Sequence, residues 1–248
     1  MTLNRPERLN AINLEMLDDL HNLFSHLYTN NDVRVLIITG AGRGFCAGAD
    51  LKDDRLEQSA SVLFASAASH LIHIQKKYAD RVLEMRRLPQ PIIAAVNGHA
   101  AGGGMCLALA SDVIIAGGEG SFTPSFINIG LSGGEMGTSY FLPRAVGMPR
   151  AAEILLTGRT VGAVEAERIG LATRVTDGDH LLEAAMETAR RMLSKSFMGL
   201  RLTKEVLNQN IDAQSLEVAI EMENRNQSLC CFTPEFLNAI NAFRRKGK

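Results

Sequence analysis

What most limits the fold of this chain is a repeated order of segments: a short apolar run rich in β-branched residues, a glycine-rich turn, then a stretch of helical period. Val33 to Thr39 (VRVLIIT) reads as a buried strand that stops at Gly40-Ala41-Gly42-Arg43-Gly44. A long helical pattern around Val62 to Arg87 is halted by Pro89 and Pro91, because proline removes a backbone donor and clashes with the turn before it. Ile92 to Val96 is a second strand. It leads through an Asn97-Gly98 loop to Gly102-Gly103-Gly104, which opens a helix through Ala110, and Val113 to Ala116 is a third strand. Beyond Ala145 the pattern is mostly helical. Helices are expected at Ala151 to Thr157, Val164 to Gly170, Leu181 to Leu193, Met198 to Asn208, Ala213 to Ser228 and Pro234 to Arg245, with one strand at Leu171 to Val175. Such an order implies an α/β core over residues 1–190 and a helical region over 191–248.

Charge narrows the function classes. The 248 residues carry a formal net charge of -1, far from the basic excess that tracking a phosphate backbone requires, so no nucleic-acid partner is expected. No apolar run approaches the roughly 20 residues that span a bilayer, so no membrane partner is expected either. The N-terminal Met1-Thr2-Leu3-Asn4-Arg5-Pro6 has no leader pattern, and a cytoplasmic location is the default expectation. Cys46, Cys106, Cys230 and Cys231 form neither a CxxC pattern nor a disulfide framework, and His70, His73 and His99 lack ligand spacing. No metal site is expected.

Two segments carry a chemical signal: Phe45-Cys46-Ala47-Gly48-Ala49-Asp50-Leu51-Lys52 and Asn97-Gly98-His99-Ala100-Ala101-Gly102-Gly103-Gly104. Each places small residues where a strand ends, so that main-chain N–H groups can approach a ligand closely. The second also opens a helix, whose first N–H groups have no partners within the helix. Tight turns alone would explain either segment. Two amides aimed at one point would form an oxyanion hole.

These segments, with Leu3-Asn4-Arg5-Pro6-Glu7-Arg8-Leu9-Asn10-Ala11, Pro91 to Gly98, Leu142-Pro143-Arg144, Leu156-Thr157-Gly158 and Ala166 to Leu171, resemble the crotonase superfamily over nearly the whole chain. The resemblance implies a ClpP/crotonase-like spiral of ββα units with a helical C-terminal trimerisation region. It further implies homotrimers or dimers of trimers, and a site for acyl-CoA thioesters, in which coenzyme A belongs to the substrate and no separate cofactor is needed. By position, the oxyanion donors fall on the N–H groups of Ala49 and Gly103. Ala47, Asp50, Leu51, Gly102 and Phe126 fall among substrate-contacting positions, while Arg8, Lys52, Phe243 and Lys246 are candidate CoA contacts. Relatives usually carry a further β-hairpin ahead of the Leu-Asn-Arg-Pro segment, so an exposed sheet edge is expected here.

The sequence departs from the hydratase pattern at both water-activating glutamates, whose positions hold Cys106 and Phe126. A phenyl ring has no proton to give, and a thiol is a poor partner for positioning water. A carboxylate appears further on, at Glu135 in Leu131-Ser132-Gly133-Gly134-Glu135-Met136-Gly137-Thr138-Ser139-Tyr140. One group of Δ3,Δ2-enoyl-CoA isomerases resembled here has its catalytic glutamate at the same spacing before a similar Ser-Ser-Tyr. Glu135 is therefore the expected catalytic residue, and double-bond isomerisation the expected reaction. The alternatives are a hydratase that pairs Glu135 with another group such as Glu119, and a non-catalytic acyl-CoA-binding relative.

Two further patterns are set aside. Gly130-Leu131-Ser132-Gly133-Gly134 matches a nucleophile elbow, which needs a preceding strand, a following helix and a later Asp and His, but the only later His is His180, after Asp177 and Asp179 in a turn-like run. Gly40 to Gly44 lacks the third glycine of a dinucleotide turn, where Phe45 stands.

Overall fold

The computed structural model describes residues 1–53 and 64–246. Its centre is a parallel sheet in the order β1 (Thr2–Leu3), β2 (Leu36–Gly40), β4 (Ile92–Val96), β6 (Val113–Gly117) and β9 (Arg174–Thr176). The middle strand β4 is buried along its whole length, as a strand covered on both faces must be. Its side chains alternate between two apolar layers. Ile92, Ala94 and Val96 join the main core, while Ile93 and Ala95 pack with Ile115 against the face of α7 (Leu181–Leu193) formed by Leu181, Ala184, Ala185 and Ala189.

A second sheet has the order β3 (Gly44–Cys46), β5 (His99–Ala101), β7 (Ser121–Thr123) and β8 (Val161–Gly162), and its first three strands directly follow β2, β4 and β6 along the chain. Its first three strands are parallel and its last pairing is antiparallel. Strand from the first sheet, strand from the second, then helix is the repeating unit. Residues 44–46 and 99–101, expected as turns since three residues show no period, are short strands, each entered through a tight turn. Two buried or half-buried asparagines make these turns possible. Asn10 donates to the carbonyls of Ala41 and Gly44 and accepts from Arg5 N–H, and Asn97 donates to those of Gly42 and Gly44 and accepts from Gly40 N–H.

Two helices are additions to the expected set. α1 (Leu14–Thr29) was not anticipated, yet its signals are ordinary. Asn13 caps it by accepting from Met16 N–H, and Met16, Leu17, Leu20, Phe24 and Leu27 form one buried stripe. α2 (Phe64–Arg87) ends where expected, and the start expected at Val62 lies outside the described residues. α4 (Thr138–Val146) was also unanticipated and carries Pro143 inside it. The remaining helices are α3 (Gly103–Leu109), α5 (Met148–Thr157), α6 (Ala163–Arg168), α8 (Phe197–Asn210), α9 (Leu216–Cys231) and α10 (Pro234–Lys246).

Smaller shifts have local causes. β2 starts at Leu36 instead of Val33, and β9 at Arg174 instead of Leu171. The N–H groups of Leu171 and Ala172 both cap α6 through the Ala166 carbonyl and so cannot join a ladder. α9 starts three residues late because Ser215 is its cap, accepting from Val218 N–H. β1 is a two-residue strand at the sheet edge. No helix among the described residues is long and apolar enough to cross a membrane.

Candidate active site

β3, β5 and β7 end together. Where they end, the chain turns through Gly48, Gly102 and Ser125. Gly48 has φ +92, and a Cβ there would stand 2.9 Å from the Ala101 carbonyl oxygen and 3.2 Å from the Gly103 nitrogen. Gly104 is packed tighter still, since a Cβ would meet the Cys46 carbonyl oxygen at 2.0 Å. The two signature turns are therefore in main-chain contact, and only glycine permits it.

Their hydrogen bonding leaves two donors aside. Ile12 N–H donates to the Gly48 carbonyl at 2.7 Å and Asp50 N–H to the Ile12 carbonyl at 2.9 Å, which bridges past Ala49. Gly102 N–H donates to the Thr123 carbonyl at 2.9 Å, and Gly103 follows as the first residue of α3. The N–H groups of Ala49 and Gly103 donate to no acceptor among the described residues. Side by side on touching turns, they are available to a ligand oxygen.

Glu135 arrives from the loop before α4. Thr138 is wholly buried and fixes this loop: its hydroxyl accepts from Glu135 N–H at 2.9 Å and lies 3.0 Å from the Gly133 carbonyl. Met136 is held at φ 43, a left-handed conformation that costs a non-glycine residue about 1–3 kcal/mol. The strain is compensated by placement. Met136 is buried, and its sulfur would lie 3.6 Å from a Cβ on Gly103, so the loop abuts the amide-bearing turn. The half-buried Glu135 side chain accepts from the Gln75 amide on α2. Burial pushes its pKa up, opposed in part by the bonds from Met136 N–H and Gln75.

α2 is itself locked to the site. Tyr78, one turn beyond Gln75, donates to the Ile12 carbonyl at 2.9 Å, and burial together with the nearby carboxylates of Asp53 and Asp50 pushes its phenol up to about 12. Nothing in the sequence marks Gln75, Thr138 or Tyr78, because their partners lie far along the chain.

The positions of the two hydratase glutamates are now visible. Cys106 is buried on α3, with its sulfur 3.2 Å from the Gly102 carbonyl and 3.6 Å from that of Glu135. Burial, then the Glu135 charge, raises its pKa well above an ordinary thiol, so it stays protonated. Phe126 packs its ring edge against Gly102, 3.4 Å from where a Cβ would be. Glu119, the expected alternative partner, is not brought to this corner. It is exposed in the turn before β7, whereas the site lies past the other end of that strand.

Other expected contacts separate. Ala47 N–H is taken by the Leu9 carbonyl. Asp50 pairs with Arg5 at 2.9 Å and accepts from Lys52 N–H, a structural use of its carboxylate. Leu51, Lys52 and Arg8 are exposed near this corner, Phe243 is exposed on α10, and the Lys246 side chain lies outside the described residues. His99 bonds Ser121 across two strands, and no metal-holding cluster occurs among the described residues. Ser132 sits in a loop between a short 3-10 turn and α4, not on a strand-to-helix elbow.

Comparisons with known proteins concern the chain as a whole. A family model described as enoyl-CoA hydratase/isomerase matches residues 1–248. A probable enoyl-CoA hydratase of Mycobacterium tuberculosis is 44% identical over 243 residues, covering 98% of this chain and 85% of that one. A probable enoyl-CoA hydratase/isomerase from Mycobacterium abscessus has a crystal structure that superposes with TM-score 0.88 at 38% identity, covering 100% of this chain and 91% of the other. A crystal structure of a monofunctional enoyl-CoA isomerase from M. smegmatis is 43% identical with TM-score 0.72, covering 88% and 91%. A hydratase by name and an isomerase by name thus stand at nearly equal identity, so similarity alone does not choose the reaction.

Proposed function

The chain belongs to the enoyl-CoA hydratase/isomerase family, within the crotonase superfamily of enzymes, and from that footing we propose that it isomerises the double bond of an enoyl-CoA thioester with Glu135 as the single acid–base residue. The observation that carries this is one carboxylate, with its pKa raised by burial, on a loop packed against the Gly103 turn. Both positions from which a hydratase would hold its water lack a carboxylate, and Glu119 lies at the other end of β7.

The N–H groups of Ala49 and Gly103 bind the thioester carbonyl oxygen. Glu135 then removes a proton from the α carbon, and the electron pair of that C–H bond passes into the carbonyl as an enolate. The two amides stabilise the developing charge without reorganising, and losing one such donor typically costs about 2.7–4 kcal/mol. The same carboxyl group returns the proton to the γ carbon as the double bond shifts, so atoms and charge balance with no co-reactant. A raised pKa suits both halves, because the group must take a proton and give it back at similar pH. Met136 and Phe126 line this corner with apolar surface and keep water away from the enolate.

The test is product identity. Presented with 3-enoyl-CoA or with 2-enoyl-CoA, the protein should interconvert the two esters. Accumulation of a 3-hydroxyacyl ester as the main product would transfer the assignment to hydration. Tight thioester binding without either product would leave a binding protein.

A further inference from the structure

Beyond Glu135, a cavity of about 770 Å³ runs between α2 and α8. Ala79, Val82 and Leu83 line it, on the face of α2 that Gln75 begins, and Met136 of the carboxylate loop borders it there. This end is apolar. The other end is not: Arg86, Arg87 and Arg201 line it, Arg86 with its guanidinium 5.6 Å from the Phe141 ring, and Glu205 is the one acidic residue among the lining positions.

Two of those charges are already neutralised. Arg86 pairs with Asp112 at 3.1 Å and also bonds Asn208, and Glu205 pairs with Arg225 at 2.7 Å. Arg201 and Arg87 have no hydrogen bond or ion pair among the described residues. Arg201 is half-buried on α8, one turn before Glu205 on the same face. An apolar corridor that starts beside the reactive carboxylate and ends at two uncommitted guanidinium groups is poorly matched to a plain alkyl chain. Burying a methyl terminus there would desolvate the half-buried Arg201 without giving it a partner, while Arg87 is exposed to water at the mouth.

We propose that this cavity receives the acyl group and that its far end selects an acyl thioester carrying a terminal carboxylate, held by Arg201 with Arg87. The guanidinium fork is suited to a carboxylate through paired N–H donors. Helical rise from Gln75 to Arg86 puts the cationic end roughly 16 Å from the level of Glu135, before the arginine side chains reach back. A medium-length chain fits that span. The proposal rests on the isomerase reading for its orientation, with the reactive end at Glu135.

Equilibrium binding of saturated esters tests it apart from turnover. Octanoyl-CoA, suberoyl-CoA and free CoA are titrated by calorimetry into the full chain and into Arg201→Gln and Arg87→Gln. Suberoyl-CoA should bind roughly five- to tenfold tighter than octanoyl-CoA. Arg201→Gln should abolish that preference while octanoyl-CoA and free CoA bind as before, and Arg87→Gln should reduce it. Equal or weaker binding of suberoyl-CoA by the unaltered protein would overturn the assignment. So would an Arg201→Gln variant that loses affinity for free CoA and both esters alike, since the cations would then serve the coenzyme's phosphates. A failure of the isomerase reading shows in the product assay and leaves this affinity ratio unchanged.

Discussion

At the Gly48 and Gly103 turns nearly every constraint is main chain: backbone against backbone at Gly48 and Gly104, and carbonyls of Gly48, Ile12 and Thr123 taking up the neighbouring amides. The Glu135 loop is held differently, by one buried threonine hydroxyl, one amide from α2 and a methionine strained into a left-handed conformation. The first region can lose its geometry only by losing glycines. The second can be rewritten one side chain at a time. This contrast explains how Cys106 and Phe126 can stand in the water-holding positions while the anion-binding turns persist. On the proposed mechanism, the electrostatic sink belongs to the backbone, and the proton carrier is a replaceable side chain.

The largest expected effect follows from removing the carrier. Glu135→Gln should lower isomerisation roughly 10²- to 10⁴-fold while thioester affinity stays within a few-fold, read by steady-state rates and by calorimetry. Its stability should move the other way. Because the folded-state pKa of Glu135 lies above the ordinary glutamate value, the folded chain binds the proton more tightly in the window between them. Stability therefore falls as pH rises through that window, and melting curves of Glu135→Gln should lack the fall.

Gly48→Ala attacks the other region. The added methyl meets the Ala101 carbonyl at a backbone angle alanine avoids, so stability should drop by about 1–3 kcal/mol and the rate by roughly 10²-fold together. A variant that loses rate at unchanged melting temperature would break the contrast. Gln75→Leu is intermediate: without the amide that favours the ionised form, the acid limb of the kcat/KM profile should move to higher pH, with kcat down by roughly an order of magnitude. Cys106→Ala should be the mildest, changing kcat by less than about threefold and stability by about 1 kcal/mol, because the thiol packs as a small neutral side chain.

The same division governs what the sequence revealed. Ile92–Val96 and the two glycine segments were legible because a fully buried strand and a main-chain contact each demand particular residue types over consecutive positions. β3 and β5 were missed as strands, since three residues between turns carry no period, and α1 was overlooked although Asn13 and its apolar stripe announce it. Glu135 could be singled out by its spacing and family likeness. Its supports could not, because Gln75 lies 60 residues away along the chain. The ion pair of Asp50 with Arg5 was equally illegible, since the two residues lie far apart along the chain.

The central claim is that an enolate forms beneath the Ala49 and Gly103 amides and that Glu135 moves its proton. Exchange of the acyl α-hydrogen in deuterated water, followed by mass spectrometry over a panel of CoA thioesters, reads that step whatever product is released. The account predicts exchange with the unaltered chain and its suppression by at least about a hundredfold in Glu135→Gln, with the esters still bound. Undiminished exchange in that variant, or none in the unaltered protein with saturating ester, would contradict it.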